Sequence, residues 1–419
     1  MRIGYLTSLY PAPSHTFIRR EVLAVREHGV DVATFSVRTP SDKERGAPAD
    51  QQAFAETFYL LPMSPGRAAR AHAARLARDP LGYVRTFGLA LKHRVPGVKA
   101  FALSFAYFVE SMVLADELER QGVTHVHNHF ANPAATVGYL ATRHLGLTWS
   151  LTLHGISETD YPAGNLLGAK LMAADFAACV SHFGRAQALR LIPPEHWDKL
   201  FIVRCALDLR ALPERPAPSQ PRDRVRVICV ARLSPEKGHV GLLRAFAKAQ
   251  RNGARESELV LVGDGPERGR VQQAIKELGL EGSVQLLGHK PEQDTLREVA
   301  QSDLLVLASF MEGLPVVLME ALAYGLPVIA PRVAGVPELV EENVHGLLFA
   351  PAAWDELAQC LQRLLSDSAL RQRLGGAGRA KIEQEFEISR AVVPLIERYR
   401  GEVAELSRVA TPARDQVHG

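Results

Sequence analysis

The chain runs twice through one alternation, and that repetition limits what it can fold into. Short apolar runs at Arg2–Leu6, Asp31–Val37, His125–His129, Trp149–His154, Phe176–Val180 and Leu200–Val203 are each separated by helical patterns. A proline-rich stretch, 211–224 with Pro213, Pro216, Pro218 and Pro221, interrupts the series. It then restarts with Val225–Val230, Glu258–Val262, Ser283–Leu286, Asp303–Ala308 and Pro327–Ile329. Apolar strands alternating with helices build βαβ units around parallel sheets. The expected architecture is α/β: two doubly wound, Rossmann-like domains over 1–210 and 225–387, a linker over 211–224, and a terminal helical segment over 388–419. Ligands of such sheets bind at the carboxyl ends of the strands, so the loops there carry the search for function.

Composition narrows the class. With 419 residues, 47% of them hydrophobic and 23% charged, the chain is globular and too long for one ordinary core. A net charge of +3 gives no dense basic stripe, so nucleic acid is not an expected partner. The four cysteines, Cys179, Cys205, Cys229 and Cys360, form no CxxC pair and read as reduced core residues. The first residues read as a strand rather than a signal peptide, and no run of eighteen apolar residues is present, so no spanning helix is expected. The expected location is the cytoplasm.

The most informative segment is Glu312-Gly-Leu-Pro-Val-Val-Leu-Met-Glu320. A buried strand precedes it, and Pro315 suits the first position of a helix running to about Tyr324. Free N–H groups at a helix start attract an anion, and carboxylates accept hydrogen bonds from pairs of hydroxyls. A phosphate flanked by sugar rings, as in a nucleotide sugar, meets both demands.

At these residues the chain resembles the family-4 retaining glycosyltransferases of the GT-B fold. That family carries two glutamates separated by seven residues, commonly with Gly-Leu-Pro after the first. The resemblance implies that Glu312 contacts the transferred sugar, the backbone of Gly313, Leu314, Pro315 and Val316 the diphosphate, and Glu320 the ribose hydroxyls. It implies that the terminal helix crosses back onto the first domain. It implies Arg232 and Lys237, in Cys229-Val-Ala-Arg-Leu-Ser-Pro-Glu-Lys-Gly238, as the cations that hold the donor diphosphate. Two cations beside a helix start neutralise a diphosphate and the charge that builds as the sugar departs. Such a site needs no metal clamp, so neither metal nor cofactor is expected.

The remaining motifs are less specific. Gly263 and Gly265 follow a strand but fail as a dinucleotide fingerprint, because the third glycine comes one residue late; the resemblance places them beside the nucleotide, and His289 and Lys290 near the base. His154-Gly155 ends a strand, and the resemblance aims the imidazole at the donor sugar or diphosphate. His125, His127 and His129 alternate along one strand face, a pattern open to zinc if another strand completes the set; the resemblance instead puts His129 on the acceptor side. The first loop supplies Ser14, Thr16 and Phe17 as acceptor-side candidates, with His15 where a subset making bacterial exopolysaccharide or lipopolysaccharide has glutamate. Ser14 and Thr16 are equally good helix caps. Ala206 stands where relatives often have glycine.

Between Leu61 and Ala100 there are eight Arg or Lys residues, Arg67, Arg70, Arg75, Arg78, Arg85, Lys92, Arg94 and Lys99, against one acid, Asp79. Interleaved apolar residues make this a candidate for contact with an anionic membrane, or a solvated face. The expected function is transfer of a hexose, with retention, from a UDP- or GDP-sugar to a saccharide or polyprenyl-linked acceptor in bacterial surface polysaccharide synthesis. The enzyme would be cytoplasmic or peripheral on the inner membrane face. An epimerase or hydrolase of the same fold, or a nucleotide-sugar sensor, are the rival readings.

Overall fold

The computed structural model describes residues 1–12, 15–42, 48–215, 223–252 and 256–401. Ser14, the middle of the proline-rich stretch and the end of the terminal segment lie outside the described residues. Two wholly parallel sheets organise the rest. The first contains β1 (Arg2–Leu9), β2 (Asp31–Arg38), β3 (Thr57–Leu61), β4 (His125–His129), β5 (Thr148–Leu153), β6 (Phe176–Cys179) and β7 (Leu200–Ile202), in the order β3-β2-β1-β4-β5-β6-β7. The second contains β8 (Val225–Val230), β9 (Ser257–Val262), β10 (Val284–Gly288), β11 (Leu304–Val306), β12 (Val328–Pro331) and β13 (Gly346–Phe349), in the order β10-β9-β8-β11-β12-β13. The strand order reverses once in each sheet, between β1 and β4 and between β8 and β11. A crevice opens at each reversal.

Sequence reading missed the edge strands β3 and β13. Both are short, and the Thr-Phe-Tyr-Leu-Leu and Gly-Leu-Leu-Phe runs carry no alternation that separates a strand from a buried turn. The helix at the glutamate motif spans Val316–Ala323, with Pro315 as its N-cap rather than its first residue and Tyr324 as its C-cap.

Parallel strands are buried on both faces and read as apolar runs. Strand β4, His-Val-His-Asn-His, is an exception, buried throughout yet mostly polar. It is tolerated because most of its polar atoms are paired, His129 Nε2 being the exception. His125 contacts the hydroxyls of Thr148 and Ser150, His127 those of Ser150 and Thr152, and Asn128 donates to the Leu6 carbonyl while accepting from the Trp149 indole.

The chain ends by returning to the first domain, as the resemblance implies. After Phe386 the helices Ile388–Ala391 and Val393–Arg400 join a core that holds Tyr5, Ile18, Val22 and Phe176 from the first domain and Leu395, Ile396 and Tyr399 from the terminus. The Tyr399 hydroxyl lies 3.0 Å from that of Tyr5. The two domains are thereby stitched at one end.

Candidate functional site

In the second sheet the loops after β8 and β11 flank the reversal, and their side chains meet there. The Lys237 amine donates to Glu312 Oε1 at 2.7 Å, and the Ser309 hydroxyl donates to the same oxygen at 2.5 Å. Gly238 is required behind Lys237: it adopts φ +65°, and a Cβ there would stand 2.2 Å from the Ala308 carbonyl oxygen. The start of the Val316–Ala323 helix has no side-chain cap, so its first N–H groups remain available to an anion. Arg232, from the same loop as Lys237, is turned outward: its guanidinium donates to Glu236 at 2.8 Å and its side chain is largely exposed.

Gly263 and Gly265 pack against this loop. A Cβ on Gly263 would lie 2.0 Å from the Ala231 carbonyl oxygen, and one on Gly265 2.4 Å from that of Leu233. These glycines let the β9 turn approach the loop that carries Arg232. His289 is exposed, and the Lys290 amine is held by Glu298 at 2.7 Å.

Glu320 is buried in the Val316–Ala323 helix, and burial raises its carboxyl above the usual range, with Arg20 opposing. Arg20, on the first-domain helix Thr16–Glu27, donates to Glu320 at 3.2 Å and to Glu292 at 2.6 Å, while Arg19 bridges Glu292 and Asp50. The glutamate that the resemblance assigns to ribose thus carries an ion pair across the cleft. Nothing in the motif spacing pointed to Arg20, because the pairing depends on how the domains face each other.

On the first-domain side, the loops after β4 and β5 form the cleft edge. Gly155 touches Gly313 directly: a Cβ on Gly313 would stand 2.6 Å from the His154 carbonyl oxygen. The His154 ring, expected to point into the cleft, turns inward. Its Nε2 lies 2.8 Å from His129 Nδ1, so one of the two nitrogens donates; its Nδ1 faces Cys205 Sγ at 3.6 Å. Phe17 and Phe130 cover it, with ring centroids 4.7 and 4.6 Å away. His129 is likewise fully buried, with Nε2 facing Glu21 at 3.4 Å. The strand end curls these rings under the loop, so backbone lines the cleft where side chains were expected. Thr16 begins the first helix and is not its N-cap; His15 is, without a side-chain bond.

Glu21, His127 and His129 place ligand-type atoms within 4.8 Å of one another. Both His127 nitrogens are engaged by hydroxyls, at 2.7 and 2.8 Å, and Glu21 accepts from the Tyr5 hydroxyl at 2.9 Å. Two of the three groups are thus engaged in hydrogen bonds, while His129 Nε2 has no hydrogen-bond partner and faces Glu21 at 3.4 Å. Burial, followed by the neighbouring histidines, holds the His127 imidazole well below its usual value. A base depressed in the folded state stabilises the fold above its unfolded value of about 6.5 and loses that contribution as pH falls below it. His127→Asn is therefore expected to be less stable than the parent near neutral pH. The gap should narrow by about 1.4 kcal/mol per pH unit below pH ~6, read by urea denaturation.

One buried residue escaped sequence reading altogether. Glu158 accepts from the backbone N–H groups of Ala131 and His154, each at 2.6 Å, and of Gly155 at 3.2 Å. Beneath it the buried Lys170 amine donates to the carbonyls of Ala131 and Asn132, at 2.7 and 3.1 Å. The two side chains tie the β4 and β5 loops together. An acid three residues past a strand-ending glycine was the available signal, and it is a weak one.

Two parallel Rossmann-type sheets, a cleft at their carboxyl edges and a terminal helix returning to the first domain define a GT-B fold. Residues 213–381 match the family described as Glycosyl transferases group 1. Among curated proteins the chain is 27% identical over 421 residues to the amylovoran biosynthesis glycosyltransferase AmsK of Erwinia amylovora, covering 92% of this chain and 96% of that one. It is 29% identical over 292 residues to N-acetyl-alpha-D-glucosaminyl L-malate synthase of Bacillus anthracis, covering 67% and 75%. Among solved structures, HepE of Anabaena in complex with UDP-glucose superposes with a TM-score of 0.70 at 18% identity, covering 97% of this chain and 100% of that one. Over residues 213–381 the chain is similar to the group 1 glycosyltransferases.

Proposed function

We propose that this protein is a retaining, metal-independent hexosyltransferase of family-4 type. It moves a sugar from a nucleotide diphosphate sugar to a saccharide or polyprenyl-linked acceptor in bacterial surface polysaccharide synthesis. The observation that carries the reading is the Lys237–Glu312 pair at the second reversal, beside an uncapped helix start. The name of AmsK supports the polysaccharide context, and the HepE complex supports a nucleotide-sugar donor.

In this scheme the bond between sugar C1 and the diphosphate oxygen breaks, and its electron pair leaves with the nucleoside diphosphate. Lys237, Arg232 and the N–H groups of Gly313, Leu314 and Val316 stabilise that charge. The acceptor hydroxyl attacks from the face the diphosphate leaves and passes its proton to the departing diphosphate oxygen, so configuration is retained. Glu312 orients the sugar and Glu320 holds the ribose, for which Arg20 must give up its pairing. Arg232 reaches the diphosphate by leaving Glu236. The His154–Gly155 loop forms the opposite wall, with His154 and His129 behind it, and Thr16 and Phe17 lie toward the acceptor.

Glu312→Ala is expected to lose most turnover, while Glu320→Ala mainly raises the donor KM; intact kinetics in both would remove the assignment. The first test is thermal stabilisation by UDP, GDP, ADP and their sugars, since a ligand that binds only the folded state raises the midpoint. Stabilisation by one nucleotide family, lost in Arg232→Ala, supports the donor site and names the base. No shift with any nucleotide overturns the reading. Sugar release without an acceptor product would instead indicate a hydrolase.

A further inference from the structure

The basic stretch between Leu61 and Ala100 divides into two parts. On the helix Pro65–Arg78, Arg75 is buried and pairs with Asp116 and Glu119, Arg78 pairs with Glu119, and Arg67 lies over the Phe58 ring. These cations serve the fold. The next two helices, Pro80–Lys92 and Val98–Arg120, form a hairpin with the opposite character. From Pro80 to Val109 the sequence holds Arg85, Lys92, Arg94 and Lys99 and neither Asp nor Glu. Arg85, Lys92 and Lys99 make no ion pair among the described residues.

The apolar residues of the hairpin split by face. Ala90, Phe108 and Met112 pack inward with Leu140 and fix the hairpin to the first domain. Val98, Phe101, Leu103 and Phe105 point out, Val98 being 87% exposed. The aromatic rings form one ledge: Phe101 and Phe105 are 5.1 Å apart, Phe87 backs Phe105 at 5.6 Å, and the Arg94 guanidinium covers Phe101 at 5.3 Å. Exposed aromatic and aliphatic side chains rimmed only by cations complement an anionic lipid interface, where apolar groups enter the headgroup boundary and cations meet phosphates. By length and composition alone Val98–Arg120 could cross a membrane. Its second half nevertheless carries Asp116 and Glu119, tied to Arg75, and its Leu114, Ala115 and Leu118 are core residues. That anchoring favours lying on a surface over crossing it.

The hairpin also adjoins the first-domain cleft edge. A cavity of about 440 Å³ opens elsewhere, near Arg20, but one of about 160 Å³ lies between the hairpin and the loop after β4, lined by Arg94, Leu103, Tyr107, Pro133, Thr136 and Lys170. We propose that the hairpin docks this protein on an anionic bilayer surface, with Phe101 and Phe105 at the interface and Arg85, Lys92, Arg94 and Lys99 on the headgroups. Docking there sets the carboxyl edge of the first sheet beside the membrane.

The test is co-sedimentation of the purified full chain with phosphatidylcholine vesicles, with and without phosphatidylglycerol, at low and high salt. The expected result is binding to the anionic vesicles alone, lost at high salt. Lys92→Glu and Lys99→Glu should each weaken it by about fivefold or more, and Phe101→Ser should weaken it at unchanged charge. Lys99 is exposed and makes no ion pair among the described residues, so its variant keeps the fold and the test. Absence of binding, or equal binding to neutral vesicles that survives Lys99→Glu, overturns the proposal. Resistance to alkaline carbonate would replace it with a spanning helix, and a dimer abolished by Phe101→Ser would replace it with self-association. Since neither donor nor acceptor is present, failure here leaves glycosyl transfer standing, and absence of nucleotide stabilisation leaves docking standing.

Discussion

Lys237→Ala is expected to lower turnover of the nucleotide-sugar donor by about 10²–10³-fold, the cost of removing one preorganised donor from a developing anion. The amine sits at the reversal of the second sheet, held by Glu312 and aimed by the turn at Gly238. In the proposed scheme its charge matters most when the diphosphate leaves, so the loss should fall on kcat more than on KM. The melting temperature distinguishes this from a structural effect. Removing Lys237 leaves Glu312 with Ser309 as its partner, and a carboxylate whose side chain is 9% exposed is disfavoured without its cation. A rate loss with the melting temperature nearly unchanged supports the leaving-group role. A rate loss that merely follows unfolding would reduce Lys237 to a partner of Glu312.

Glu158→Ala is expected to cost about 3–5 kcal/mol, because it leaves three backbone N–H groups, of Ala131, His154 and Gly155, without an acceptor and the buried Lys170 without the charge that opposes its desolvation. Burial drives both partners toward their neutral forms, Glu158 upward and Lys170 downward; the backbone bonds and the mutual attraction oppose it. Spread over a domain of this size, the loss corresponds to a drop of roughly 6–20 °C in the first thermal transition. Glu158→Gln keeps an acceptor oxygen and should lose less. If this variant folds, a higher KM would show that the pair sets the cleft edge, since the loops it ties carry His129 and His154. A midpoint unchanged in Glu158→Ala would show that solvent replaces the carboxylate and that the loops do not depend on it.

Much of this protein is legible in its order of residues. Apolar runs between helical patterns fix two parallel sheets, because strands buried on both faces must be apolar and parallel neighbours need helical crossovers. The glutamate motif, with its proline at the helix start, is a local signal read within nine residues, and it marked the loop after β11. Lys237 was legible for the same reason. The edge strands β3 and β13 were not, since a short run with one buried end differs little from a turn.

Orientation and pairing were decided by tertiary structure. Sequence placed His154 at a strand end near the cleft, but the ring turns toward His129 because Phe17 and Phe130 close over it. Arg20 and Glu320 lie 300 positions apart, and no local pattern connects them. The eight cations of one stretch looked alike as sequence. Packing spent Arg75 and Arg78 on Glu119 and left Lys92 and Lys99 outside, since only the folded surface fixes which charges have partners. Local spacing determines which backbone dihedrals and hydrogen bonds recur, and so fixes elements and their order. Side-chain direction, ion pairing and exposure depend on contacts between residues far apart in the chain, which exist only once the domains have closed on each other.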